Sequence, residues 1–206
     1  MMNIIDIHSH KKEEKRLDTI YNLSFPSIQD YNTELNFSVG IHPWNIPTEI
    51  DWNFFRKVSN KKNILAIGEI GIDNLKSNNA IPQADVFYKQ LLIAEEVKKP
   101  VIIHMVKSLE EIIKIYKLIK PKQPWIIHGF RGKPEQANQL IRLGFILSFG
   151  EKYNYKTINS ITNILAESDN SDLDIETILS NIAIDKNIEI KKLINEIESN
   201  TKRIFF

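Results

Sequence analysis

Five histidines close or follow short apolar runs in this sequence: IIDIH (4 to 8) with His10 just beyond, NFSVGIH (36 to 42), PVIIH (100 to 104) and PWIIH (124 to 128). Two further runs end in acids, ILAIGE (64 to 69) in Glu69 and NILAESD (163 to 169) in Asp169. Neutral imidazole nitrogen and carboxylate oxygen are the donors that divalent Zn, Mn, Mg or Ni accept. The 206 residues contain no cysteine, so disulfides, thiolate nucleophiles and sulfur-bound zinc are excluded and any metal must be held by histidine and carboxylate. His8 and His10 stand two apart, which on a strand turns both rings to one face and permits chelation. Gly68 and Gly71, on either side of Glu69, permit a close backbone approach or a sharp turn. Taken singly, a histidine at a strand end is more often structural or at the surface. Asp169, in a Ser/Asn/Asp cluster, reads equally as a turn or helix cap. Glu69 follows a buried run, and an unpaired buried charge is costly, so it requires a partner. Taken together, His8, His10, Glu69, His104, His128 and Asp169 point to a metal centre of mixed nitrogen and oxygen donors.

These side chains need elements to position them. The Ile- and Val-rich runs suit strands buried on both faces, and FILSFG (145 to 150) continues the series, with RLDTIYNLSF (16 to 25) a weaker member. Between them QADVFYKQLLIAEEVKK (83 to 99), SLEEIIKIYKLIK (108 to 120) and KPEQANQLIRLG (133 to 144) carry apolar residues at helical spacing, the last stopping at Gly144. About eight strands with interleaved helices predict a parallel sheet in a compact (β/α)₈ barrel, whose strand C-terminal ends share one face where catalytic groups collect. The length is near the lower limit for that fold, about 200 residues. Residues 9 to 41 leave room for a strand and turns but hardly for two helices, so the barrel is expected to be trimmed between its first and third strands. The ending IEIKKLINEIESNTKRIFF predicts a closing helix, and the polar patches at 74 to 79 and 168 to 171 predict loops in a single domain, 1 to 206.

Lys plus Arg (27) nearly balance Asp plus Glu (26), so no bulk positive field advertises nucleic acid or an anionic membrane, and any phosphate must be bound locally. The opening MMNIIDIHSHKKEEK places an apolar run before charges, the reverse of a secretory signal, and no apolar run approaches the ~18 residues of a membrane span. A soluble cytoplasmic protein is expected, with no membrane partner and no obligate protein partner.

The segments DIHSH (6 to 10), GIHPW (40 to 44), AIGEIGID (66 to 73), 83 to 104, IIHGFRG (126 to 132) and ESDNSD (167 to 172) resemble the TatD family of metal-dependent deoxyribonucleases, within the amidohydrolase-like barrels. The GEIGID element followed by Gln83 and Gln90 is the most specific part. The resemblance implies that His8, His10, Glu69 and Asp169 surround one metal, that Glu69, His104 and His128 hold the second, and that Glu69 bridges. It implies hydrolysis of DNA phosphodiesters, with Asp169 orienting the attacking water and accepting its proton and His42 facing the scissile phosphate or leaving group. Trp44 stands where the family usually has a second histidine, and Val106 where it often has an arginine. Lys107 and Arg131 are candidate replacements for phosphate contacts, and Trp44 is a candidate platform for a base. Two other readings remain: a related binuclear hydrolase of amide, lactone or phosphotriester bonds, and a non-catalytic descendant. Against the first stands Glu69, where many such enzymes carry a modified lysine. Against the second, all six ligand positions hold competent side chains.

Overall fold

A computed structural model of the chain describes residues 4–11, 14–26, 28, 34–76 and 82–206. Eight strands are linked in sequence order in one sheet: β1 (Asp6–Ser9), β2 (Thr19–Ser24), β3 (Asn36–Gly40), β4 (Ile64–Asp73), β5 (Val101–Val106), β6 (Trp125–Ile127), β7 (Ile146–Phe149) and β8 (Leu165–Ala166). The registers are parallel, as in Asp6↔Thr19, Phe37↔Ile64, Ile70↔Ile103, Ile126↔Ile146 and Phe149↔Ala166. Beyond β8 the chain returns to β1: the Asp169 N–H donates to the His8 carbonyl at 2.8 Å and the His10 N–H to the Asp169 carbonyl at 3.1 Å. This is the (β/α)₈ barrel topology that the alternating pattern predicts.

The described residues form seven α-helices: α1 (Trp52–Ser59), α2 (Gln83–Val97), α3 (Leu109–Ile119), α4 (Pro134–Leu143), α5 (Tyr155–Ser160), α6 (Ile175–Asp185) and α7 (Ile190–Phe205). α4 stops at Gly144, whose φ of 101° suits a left-handed cap. α1, α5 and α6 go beyond the sequence reading. α1 and α6 start where Asp51 and Asp174 accept from the Phe54 and Thr177 N–H groups at 2.9 and 2.7 Å. Among the described residues no α-helix lies between β1 and β3, as the short interval requires. Of the polar patch at 74 to 79, residues 77–79 lie outside the described residues.

The chain divides into two compact units, Met1–Tyr21 with Ile126–Phe206, and Asn22–Trp125. In the first, α7 buries Leu193 and Ile197, and its polar side chains hold strand-end carbonyls: Thr201 Oγ1 donates to Ile4 at 2.8 Å and Asn200 Nδ2 to Ile164 at 3.0 Å. In the second, Phe37, Phe55, Ile67, Ile70, Phe87 and Ile102 are buried around β4, the longest strand.

β4 does not end at Glu69. It continues through Asp73 because Ile70 and Ile72 are buried and stay in register with Ile103 and Met105 of β5. That continuation depends on Gly71, where a Cβ would lie 1.9 Å from the His104 carbonyl oxygen. No side chain fits, and its φ of 156° is one that L residues rarely adopt. Gly71→Ala should therefore force β4 from β5, a loss of about 4 kcal/mol or more in urea unfolding. Unchanged stability would mean that the two strands separate readily.

Candidate metal centre

Each unit gathers its own imidazoles and carboxylates. In the first unit, the end of β1 presents His8, which is fully buried, and His10. Their ring centroids are 5.0 Å apart, and His128, just past β6, comes within 4.6 Å of His8. Asp169 completes the group, its Oδ1 lying 3.7 Å from His8 Nε2 and 3.6 Å from His10 Nε2. The donor atoms of His8, His128 and Asp169 lie within 4.8 Å of one another. Asp169 is brought there by its backbone bridge to Ser9 and takes a left-handed φ of 49°.

Two carboxylates support this set. Glu167, fully buried, lies 3.1 Å through Oε1 from His128 Nδ1. Burial would raise its carboxyl, but the charge and hydrogen bond of His128, with the charge of His8, hold it below its ordinary value. Asp6 accepts from the Ser168 N–H at 3.0 Å and hydroxyl at 2.7 Å, joining the loop after β8 to the base of β1. Burial pushes its carboxyl up to about 7 despite those bonds.

In the second unit, Glu69 on β4 and His104 on β5 meet closely, with 2.6 Å between Oε1 and Nδ1. At that distance the two atoms must share a proton, which a cation bound by both would displace. Asp73 Oδ2 lies 3.3 Å from His104 Nε2 and accepts from Trp44 Nε1 at 2.7 Å. Burial would raise Asp73, but the bonds from Trp44, the Leu75 N–H and His104 lower it. The Glu69 N–H is held by Asn22 Oδ1 at 2.9 Å, fixing the carboxylate from behind.

His42, after β3, has its Nε2 3.2 Å from the same Glu69 oxygen. Its other nitrogen, Nδ1, accepts the Trp44 backbone N–H at 3.1 Å. The neutral ring therefore carries its proton on Nε2 and presents a donor toward the centre. A ligand at Nε2 would need the opposite tautomer, with two N–H groups facing each other. This geometry suits a proton donor even though His42, Glu69 and His104 have donor atoms within 4.8 Å of one another.

A profile of the family described as TatD related DNase matches residues 17–206. The chain belongs to the TatD family. It is 33% identical to the metal-dependent hydrolase YabD of Bacillus subtilis over 145 residues, 68% of this chain and 56% of that one. To the metal-dependent hydrolase MJ1582 of Methanocaldococcus jannaschii it is 28% identical over 198 residues, 85% and 76% of the two chains. Among TatD structures, it is similar to the homologue YJJV from Escherichia coli K12 with a TM-score of 0.81 at 18% identity over 98% of both chains. A TatD family hydrolase from Entamoeba histolytica gives 0.79 at 14%, over 100% of this chain and 98% of that one. At those identities the likeness is one of fold. The chain spans about half the length of the metal-dependent hydrolases YabD and BU355, 56% and 53%.

Within this TatD family member, His128 lies against His8 and Asp169. Trp44 is half exposed but tethered through its indole to Asp73, with Lys76 Nζ 4.9 Å from its ring centroid. Lys107 is exposed, and its carbonyl accepts from Asn74 at 2.9 Å. Asp73 and Glu167 are additions to the expected set. Both carried a readable signal: each is an even number of residues from an expected ligand, Glu69 or Asp169, and on extended chain that places it on the same face. Asp73→Asn should lower divalent-ion affinity about 10- to 100-fold by loosening His104, measured by calorimetric titration with Mn²⁺ or Zn²⁺. His42→Ala should keep the wild-type affinity, and a matching loss in that variant would make His42 a ligand.

Proposed function

We propose that this protein is a metal-dependent hydrolase that cleaves phosphodiester bonds, with DNA as its substrate class. The observation that carries the reading is the pair of donor sets: imidazoles converge with carboxylates at the C-terminal ends of parallel strands, where such barrels hold their chemistry. The family description as a DNase and the metal-dependent hydrolases among the relatives support it. The donors fit the ions. Imidazole nitrogens set beside carboxylate oxygens are the mixed donor set that such ions accept. The set does not choose among Mg, Mn, Zn and Ni.

In this reading His8, His10, His128 and Asp169 would hold a divalent ion in the first unit and Glu69 with His104 one in the second, and the family resemblance implies that Glu69 would serve both. Bound ions supply Lewis acidity toward a phosphoryl oxygen and lower the pKa of a water to the neutral range. Asp169, partly exposed beside buried His8, is placed to orient that water and accept its proton. His42 donates from Nε2 toward the leaving oxygen, its ring held by the Trp44 N–H. Glu167 and Asp73 fix the rings of His128 and His104, as carboxylates do for metal-bound histidines.

Chelation should abolish hydrolysis of DNA oligonucleotides with free or blocked ends, and Mn²⁺ or Mg²⁺ should restore it. Chelator-resistant cleavage would exclude this mechanism. Glu69→Gln removes one negative charge and leaves an amide nitrogen that cannot ligate. Metal content should fall below two ions per chain and turnover by about 10² to 10³, with circular dichroism unchanged. Two bound ions with full turnover in that variant would rule out the shared carboxylate.

A further inference from the structure

In the unit of Met1–Tyr21 and Ile126–Phe206, two hollows adjoin the first donor set. The smaller, about 140 Å³, is bordered by Gly129, Gly150, Glu167 and Asp169. The larger, about 640 Å³, is bordered by Tyr153, Tyr155, Ile184 and Asp185. Arg131, Glu151 and Lys152 border both, so a single trough runs from the Asp169 carboxylate to the exposed ring of Tyr155. Its larger part is within the size range of ligand sites, about 300 to 1,000 Å³.

The charges along this trough are unequally committed. Glu151 Oε2 accepts from the Ser171 hydroxyl at 2.8 Å, and Asp185 Oδ2 from the Tyr153 hydroxyl at 2.7 Å. Burial, with Asp185 alongside, raises the Tyr153 phenol, so that hydroxyl stays protonated and keeps Asp185 occupied. Arg131 and Lys152, both exposed, have no side-chain hydrogen bond or ion pair among the described residues. Arg131 and Lys152 are therefore the charged heads free to meet an anion, while Glu151 and Asp185 keep their own charge and are held by hydroxyls. Next to it stand an aromatic and an apolar surface, Tyr155 at 61% exposure and Ile184 at 74%. α5, which carries Tyr155, is anchored next to Arg131, since Thr157 Oγ1 donates to the Gly132 carbonyl at 2.7 Å.

Cationic heads followed by an exposed ring match the order of parts in a nucleotide, a phosphate and then a base. We propose that this trough binds the nucleotide next to the cleaved bond, Arg131 and Lys152 holding its phosphate and Tyr155 stacking on its base. The inference rests on the phosphodiesterase reading and adds to it a dependence on substrate length. A diester with no neighbouring nucleotide reaches only the donor sets, whereas an oligonucleotide also gains the trough.

Binding can be read apart from hydrolysis, by fluorescence anisotropy of a labelled oligothymidylate with the full chain in EDTA at low salt. Tyr155→Ala should weaken binding roughly 5- to 150-fold, the range for losing one stacked base. Arg131→Gln with Lys152→Gln should flatten the slope of log affinity against log salt by about 0.7, the value for one phosphate on a single strand. No binding by the wild type, or variants with wild-type affinity and slope, would overturn the trough. Mn²⁺-dependent kinetics on bis(4-nitrophenyl) phosphate and on the oligonucleotide then separate the two readings. The variants should lose at least tenfold more kcat/KM on the oligonucleotide than on the small diester, and equal losses on both would count against the trough. A wild type that cleaves neither substrate, yet binds oligothymidylate in a variant-sensitive way, would sink the phosphodiesterase reading alone.

Discussion

A carboxylate buried away from water must be matched by a donor or a cation, or it cannot stay ionised, and three of them set the terms here. Glu69, Asp73 and Glu167 are 4%, 3% and 0% exposed. Each is matched by an imidazole, Glu69 and Asp73 by the two nitrogens of His104 and Glu167 by His128. The histidines are thereby oriented before any ion arrives. A ring fixed through one nitrogen presents the other at a defined place, and the entropy of ordering it is lost on folding rather than on binding.

The supports behind these pairs are neutral amides and hydroxyls. Gln90, fully buried on α2, accepts the Ile41 N–H at 2.7 Å and donates to its carbonyl at 3.2 Å, clamping the chain just before His42. Gln83 accepts the Asp73 N–H at 2.7 Å, and Asn22 holds the Glu69 N–H. Such groups satisfy backbone atoms without adding charge, leaving the electrostatics of the site to acids and imidazoles. That division explains how Gln83 and Gln90 belong with the GEIGID element, since they hold the backbone at its end and at the strand before it.

Trp44 shows how one substitution within a family pattern reshapes a site. Its backbone N–H selects the His42 tautomer, and its indole N–H takes one oxygen of Asp73. A histidine at this position would keep the backbone bond. Its ring would titrate near neutrality, whereas the indole is a permanent donor.

The strands were legible in the sequence because parallel strands buried on both faces must be continuous apolar runs, and the (β/α)₈ topology follows from their alternation with helices. The metal-competent residue types were legible for a related reason: five histidines and two acids all close or follow such runs, a coincidence that no single one of them would carry. The helices α1 and α5 escaped as segments of 8 and 6 residues started by Asp and Asn caps, and α6, of 11 residues, because its isoleucine-rich apolar run does not by itself distinguish helix from strand. The extent of β4 beyond Glu69 was likewise hidden, because Gly71 reads as a stop until the His104 carbonyl is seen lying against it. Which donors meet was decided by tertiary structure alone. His128 joins His8, Asp73 and Glu167 take up rings, and Arg131 meets Lys152 and Tyr155 in one trough. Residue type and spacing specify what a side chain can bind and which face of its own strand it occupies. Its neighbours depend on the register between strands, which packing of the whole chain sets.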